Sequence, residues 1–148
     1  MAFARRSGQT AAMTDADATA LLHQTMPLCA TLGMRAETFT PELVVLAMEW
    51  AEGLCTSNSM LHGGAVMALA DSAGGASAFL NLPAGAAGTS TIESKTNFLG
   101  AVRAGTVRAT ARPLHIGGTT IVVETEVRSA EDKLVAKVTQ TQIVLRAK

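Results

Sequence analysis

Aromatic side chains are nearly missing from this chain. Tyr is absent, Trp50 stands alone, and aromatics make up 3% of 148 residues. A core built on ring packing is therefore excluded, and Ala, Val, Leu, Ile and Met must supply it; hydrophobic residues reach 48%, enough for one domain of this length. Net charge is also missing. Twelve basic and twelve acidic side chains cancel, which argues against the basic footprint of a nucleic-acid binder. Cysteine is scarce: Cys29 and Cys55 are too few for a disulfide framework and lack metal-ligand spacing, so the reading is reduced thiols in a cytoplasmic protein. No pair of His23, His62 and His115 has metal-ligand spacing either. No apolar run is long and unbroken enough to span a bilayer. Ala65 to Leu80 comes nearest, and Asp71, Ser72, Gly74 and Gly75 interrupt it. Residues Met1 to Met13 carry Arg5 and Arg6 and no apolar stretch, so they are not a secretory signal. They read as a flexible leader, with Met13 as an alternative start, ahead of a single domain over 14–148.

Periodicity then organises the chain. Thr14 to Met26 has Leu21, Leu22 and Met26 at helical spacing, with Asp15 or Asp17 as a cap and Pro27 as a stop. Leu32–Thr40 and Leu43–Glu52 read as strands around a turn at Pro41-Glu42. Gly53 to Leu61 is a polar loop. His62 to Leu80 follows as a helix apolar almost all round, which requires burial. Beyond it the period changes to two. Thr89–Leu99, Thr106–His115, Thr119–Ser129 and Leu134–Arg146 read as four strands in a meander, with turns at Gly117-Gly118 and Ala130-Glu131-Asp132. Strands joined by short turns pair antiparallel. One curved antiparallel sheet around one apolar helix is the economical α+β solution.

Chemistry concentrates on that helix. His62-Gly63-Gly64 opens it, and a glycine pair lets a ligand approach the free N–H groups of a helix start. Asp71 follows nine residues after the His, inside the apolar run, where an ionised carboxylate is costly unless it is paired or has a task. Gly63 and Asp71 lie about 12 Å apart along one helix. An oxyanion donor and a carboxylate that act on one carbonyl must therefore come from different subunits, which predicts a site shared across a two-fold interface.

The motif Leu61-His62-Gly63-Gly64 with Asp71, supported by Asn97-Phe98-Leu99 before the Arg103-Ala104-Gly105 turn and by Leu114-His115-Ile116-Gly117, resembles the hotdog-fold acyl-CoA thioesterases, in particular the phenylacetate-pathway (PaaI-type) branch. The likeness runs from about Leu43 to Leu145. It implies a five- or six-stranded antiparallel sheet around one helix, and a homodimer that assembles into a homotetramer. It implies an acyl-CoA substrate with no metal or redox cofactor, no nucleic acid and no membrane. Matched onto this chain, the Gly63 N–H would polarise the thioester carbonyl. Asp71 would act as general base or as nucleophile, and Thr91 would orient water. A family position that often holds Asn or Gln is Thr56 here, and Asn58 lies two residues nearer the His; either Asn58 takes the role or the contact is missing.

Other polar residues carry alternatives. His62 either caps the helix and orders the loop, bonding near Asn58, or transfers a proton. Gly64 belongs to the same helix start. Arg103, with His115 or Lys137 in reserve, is the candidate for coenzyme A phosphates; Arg108, Arg112 and Lys95 read as a solvated strand face. The Met67, Ala68, Leu69 and Phe79 stripe reads as core, and in a hotdog dimer it could also line an acyl tunnel. Two other functions fit the same fold: a non-catalytic acyl-CoA-binding hotdog protein, and a hotdog dehydratase or hydratase.

Overall fold

A computed structural model describes residues 13–147; the expected leader lies outside the described residues except for Met13, which is exposed. Helix α1 (Asp15–Thr25) is capped by Thr14, not by either aspartate. The Thr14 hydroxyl accepts from the Asp17 N–H while donating to the Asp17 carboxylate at 2.6 Å. Pro27 both ends α1 and opens α2 (Pro27–Thr31), where its missing N–H costs nothing. Helix α1 lies over β1 (Arg35–Phe39) with α2 against α1, and the two deliver Leu22 and Cys29 to the core.

Strands β2 (Val44–Glu49), β3 (Ala86–Phe98), β4 (Thr106–Ile116), β5 (Thr120–Arg128) and β6 (Leu134–Arg146) complete a six-stranded sheet in the order β1-β2-β4-β5-β6-β3, with every pair antiparallel. The expected four-strand meander is therefore only partly right. Strands β4, β5 and β6 form a meander, but β3 pairs with β6 instead of β4. The reason is edge occupancy: β4 already has β2 on one side and β5 on the other, so the free edge of β6 takes β3. The stretch Leu99 to Gly105 carries the chain back across.

Helix α3 (Gly63–Leu80) packs on the concave face against β2, β3, β4, β5 and β6. Alternation works as the period predicts. Ile121, Val123, Thr125 and Val127 of β5 point inward and are fully buried. Small residues on α3 let the sheet come close, and Gly74 shows the limit of that closeness: a Cβ there would sit 2.1 Å from Gln140 Oε1. Charged side chains stay on the outer face and pair across it, as in Arg108–Glu37 at 2.7 Å and Lys137–Glu124 at 3.0 Å.

Helix α3 is not covered all round. Gly64, Met67, Asp71 and Phe79 form a stripe that is exposed in the protomer. The expectation that Asp71 is buried in its apolar run is corrected accordingly. The sheet grips one side of the helix, and Asp71 lies at the margin of that contact, exposed but within reach of side chains on β3 and β6.

Candidate active site

Asp71 is exposed, yet its carboxylate is held. Thr91 Oγ1 donates to Asp71 Oδ1 at 3.0 Å, and Gln140 Nε2 donates to the same oxygen at 3.2 Å. Both donors converge on Oδ1. Among the described residues none is placed on Oδ2, which is therefore the oxygen free to take a proton or to attack.

The support behind Oδ1 runs along the sheet. Thr91 on β3 and Gln142 on β6 are direct cross-strand partners. Gln142 Nε2 donates to Thr91 Oγ1 at 2.6 Å, which turns the threonine proton toward Asp71. Gln142 Oε1 in turn accepts from Thr89 at 3.1 Å. A bulge at Ile92, between Thr91 and Glu93, breaks the β3 register beside this contact and re-aims the strand. Gln140 is fully buried, and its Oε1 has no partner among the described residues. Turning that amide over would set its oxygen against a carboxylate, so the N–H must face Asp71. Neither glutamine was among the residues singled out from the sequence. A signal for them exists: the inward positions of β6 read Val138, Gln140, Gln142, Val144, and two amides on a core face need partners.

About 12 Å back along the helix from Asp71, α3 begins. His62 Nδ1 accepts from the Gly64 N–H at 2.8 Å, so the ring caps the helix and holds the tautomer with the proton on Nε2. It does not bond to Asn58. Among the described residues no acceptor faces the Gly63 N–H, which stays available at the positive end of the helix dipole. Space there is tight: a Cβ on Gly63 would lie 3.1 Å from the Phe98 ring. Asn58 adopts a left-handed backbone, φ 61°, in the turn before α3. Its carbonyl, not its amide, is what the structure engages, by accepting from Arg103 Nη1. Arg103, Asn58, Gly63 and Gly64 thus gather at the start of α3. His115 does not join them in the protomer. It lies at the hairpin end of β4 beside Gly117, the end of the sheet opposite Phe98.

The remaining candidates have structural roles. His23 Nε2 bonds to the Met34 carbonyl at 2.6 Å. Cys29 is buried against Ser72, at 3.3 Å; burial pushes its thiol up and leaves it a poor nucleophile. Among the described residues no group of three His, Cys, Asp or Glu could hold a metal, and no helix is long and apolar enough to cross a membrane. A cavity of about 370 Å³ opens beside Asp71 and Thr91 and runs between α1 and α3, with Leu21, Met26, Phe39 and Phe79 among its walls.

An antiparallel sheet wrapped around one helix, with a held carboxylate on the open side of that helix, defines a hotdog-fold protein of the thioesterase type. Residues 58–136 match the model of the Thioesterase superfamily, and the chain belongs to that family. A relative from Bacillus subtilis, named "Putative esterase ComA2", is 34% identical over 104 residues, which cover 70% of this chain and 82% of the relative. The thioesterase HI1161 of Haemophilus influenzae superposes with a TM-score of 0.81 at 26% identity and covers 90% of this chain and 91% of its own. A thioesterase family protein of Silicibacter pomeroyi gives 0.80 at 28% identity, over 90% of this chain and all (100%) of that one.

Proposed function

We propose that this protein hydrolyses acyl-CoA thioesters, as the PaaI-type branch of the superfamily does, and that it acts in the cytoplasm as a homodimer, paired further into a tetramer. The observation that carries the reading is the arrangement of Asp71: an exposed carboxylate with Oδ1 pinned by two donors and Oδ2 free.

The thioester carbonyl oxygen accepts from the Gly63 N–H of one subunit, at a helix end where developing negative charge is stabilised. Asp71 of the other subunit faces the carbonyl carbon. As general base, Oδ2 takes a proton from water while the water oxygen adds to that carbon. The C–S bond then breaks, and the proton passes from Asp71 to the departing thiolate. As nucleophile, Oδ2 adds to the carbon itself, expels the thiolate and leaves a mixed anhydride that water cleaves. Thr91 serves both routes by fixing Oδ1. His62 acts by ordering the helix start and leaving the Gly63 N–H unshared, while Gly64 is held by that cap. Arg103, on the carbonyl of Asn58, is the basic group nearest this end for coenzyme A phosphates; His115 could meet them only from a different subunit.

The test is Asp71→Asn, nearly isosteric and unable to serve as base or nucleophile. Thiol release over a panel of acyl-CoAs should fall at least about 10²-fold with the fold intact by circular dichroism. Near-normal turnover would remove Asp71 from the mechanism, and a wild-type protein inert on the whole panel would favour the binding-only alternative.

A further inference from the structure

Helix α3 carries two adjacent glycines with opposite reasons for being small. Gly74 makes room for Gln140, whose side chain would overlap any Cβ placed there. Gly75 makes room for nothing among the described residues of the protomer, since a Cβ at that position meets none of their atoms within 4 Å. Glycine weakens a helix interior relative to alanine, so an unforced one needs another cause. Gly75 lies one turn after Asp71 on the same face and lines the cavity of about 370 Å³ that begins at the carboxylate.

The cavity has the polarity of an acyl site. Its polar end is Asp71, Thr91 and Gln142, where the reacting carbonyl would lie. Its remaining walls include Leu21, Thr25 and Met26 from the end of α1 and the α1–α2 elbow, Phe39 from β1, Phe79 from α3, and Thr89 and Ser90 from β3. Asp71 and Phe79 are about 12 Å apart along the helix, so a chain entering at the carboxylate has a long apolar run ahead of it. Its size is that of sites that enclose small ligands.

We infer that this chamber holds the acyl chain, that Gly75 and the α1 wall set how bulky that chain can be, and that the preferred substrates carry apolar acyl groups much longer than acetyl. The inference rests on the acyl-CoA reading above and goes further by locating the tail and naming the residues that gate it. Acetyl-CoA leaves the chamber empty, whereas octanoyl-CoA gains its apolar contact, so wild type should favour octanoyl-CoA in kcat/KM.

Gly75→Leu fills the chamber from α3 while improving helix propensity, and Thr25→Phe fills it from α1. Each should lower the octanoyl-to-acetyl ratio of kcat/KM at least about 10-fold, the scale on which apolar pockets discriminate chain size. Titration with the non-hydrolysable S-octyl-CoA thioether, against coenzyme A alone, gives a second readout that needs no turnover. The octyl chain should tighten binding to wild type and do so far less in both variants. An unchanged ratio in folded Gly75→Leu and Thr25→Phe, or an octyl chain that adds nothing to wild-type binding, overturns the chamber. Dissociation of the Gly75→Leu oligomer in sedimentation, with chain preference unaltered, would assign the glycine to the subunit interface instead. Absence of hydrolysis together with chain-dependent thioether binding would sink the enzymatic reading and leave the chamber standing.

Discussion

At the scale of single residues, the division of labour around Asp71 is set by donors that the carboxylate itself cannot supply. Gln140 is the informative case. It is fully buried, it gives one N–H to Oδ1, and its own Oε1 goes unpartnered among the described residues. Burying an unpaired amide oxygen costs roughly 1–3 kcal/mol, which a residue kept only for packing would not incur. Gln140→Leu keeps the volume and removes both the donor and the orphan oxygen. The melting temperature should stay the same or rise, while kcat falls about 10-fold at unchanged KM, because the carboxylate loses its fixed rotamer. Combining it with Thr91→Val should cost less than the sum, since both act on one oxygen. Asp71 and Gly63 were legible in the sequence because a charge in an apolar run and a glycine pair at a helix start are local features. Gln140 and Gln142 were not, because an inward amide acquires meaning only once its partner across the sheet is known.

Among the elements, α3 and β6 decide the site together. Gly74 is the contact point, and Gly74→Ala tests it. The new methyl would fall on Gln140 Oε1, so the amide must leave its place or the helix must shift. Overpacking of this kind typically costs about 1–3 kcal/mol, and here activity should drop with stability. A thermal melt no lower than wild type would show that the helix and β6 can separate freely. Boundaries of the last three strands followed from alternation, with β6 covering the expected Leu134–Arg146, whereas β1 (Arg35–Phe39) and β2 (Val44–Glu49) are shorter than expected and β3 starts earlier, at Ala86. Position in the sheet did not follow, since β3 lies beside β6 for want of a free edge on β4. Helix α3 was expected to be buried on every side, and its hydrophobicity is real. Its open stripe of Met67, Asp71 and Phe79 shows that apolar character all round fixes a need for cover without saying what provides it.

For the whole molecule, that open stripe, the available Gly63 N–H and the spacing along α3 make the oligomer part of the proposed chemistry. Gly63→Pro removes the N–H at a helix position whose backbone accepts proline, after a residue, His62, already extended at ψ 135°, with the Phe98 ring giving way by a few tenths of an ångström to the new Cβ. Mixed with Asp71→Asn chains, it should restore roughly a quarter of wild-type activity under random pairing, since half the dimers then hold one intact site of two. No recovery, with heterodimers proven by mass spectrometry, would place both groups of a site on one chain. Acid stability belongs to this scale too. Arg128, with Lys137, holds Glu126 below the usual carboxylate range, and Thr106, with Arg35, does the same for Glu49. Because the folded values lie below the unfolded ones, this stabilisation is present above the unfolded carboxylate range and is lost as pH falls through the folded values. Arg128→Ala should flatten the decline of melting temperature between about pH 5 and 3. An unchanged acid limb would show that the outer-face pairs are too screened to matter.

What the sequence determined by itself was what local chemistry and period can write: the first and the long helix, the strands and the core face of each central one, the helix start with its glycine pair, and a single carboxylate within an apolar helix. Tertiary structure decided what depends on neighbours distant in the chain. The β6–β3 pairing sets Gln142 behind Thr91, the approach of β6 to Gly74 aims Gln140 at Asp71, and the lie of α1 over β1 leaves a chamber between α1 and α3 where the pattern offered core or an acyl tunnel. Those features arise from which edges and faces remain free once the sheet has closed around the helix, a property of the packed whole that no single segment carries.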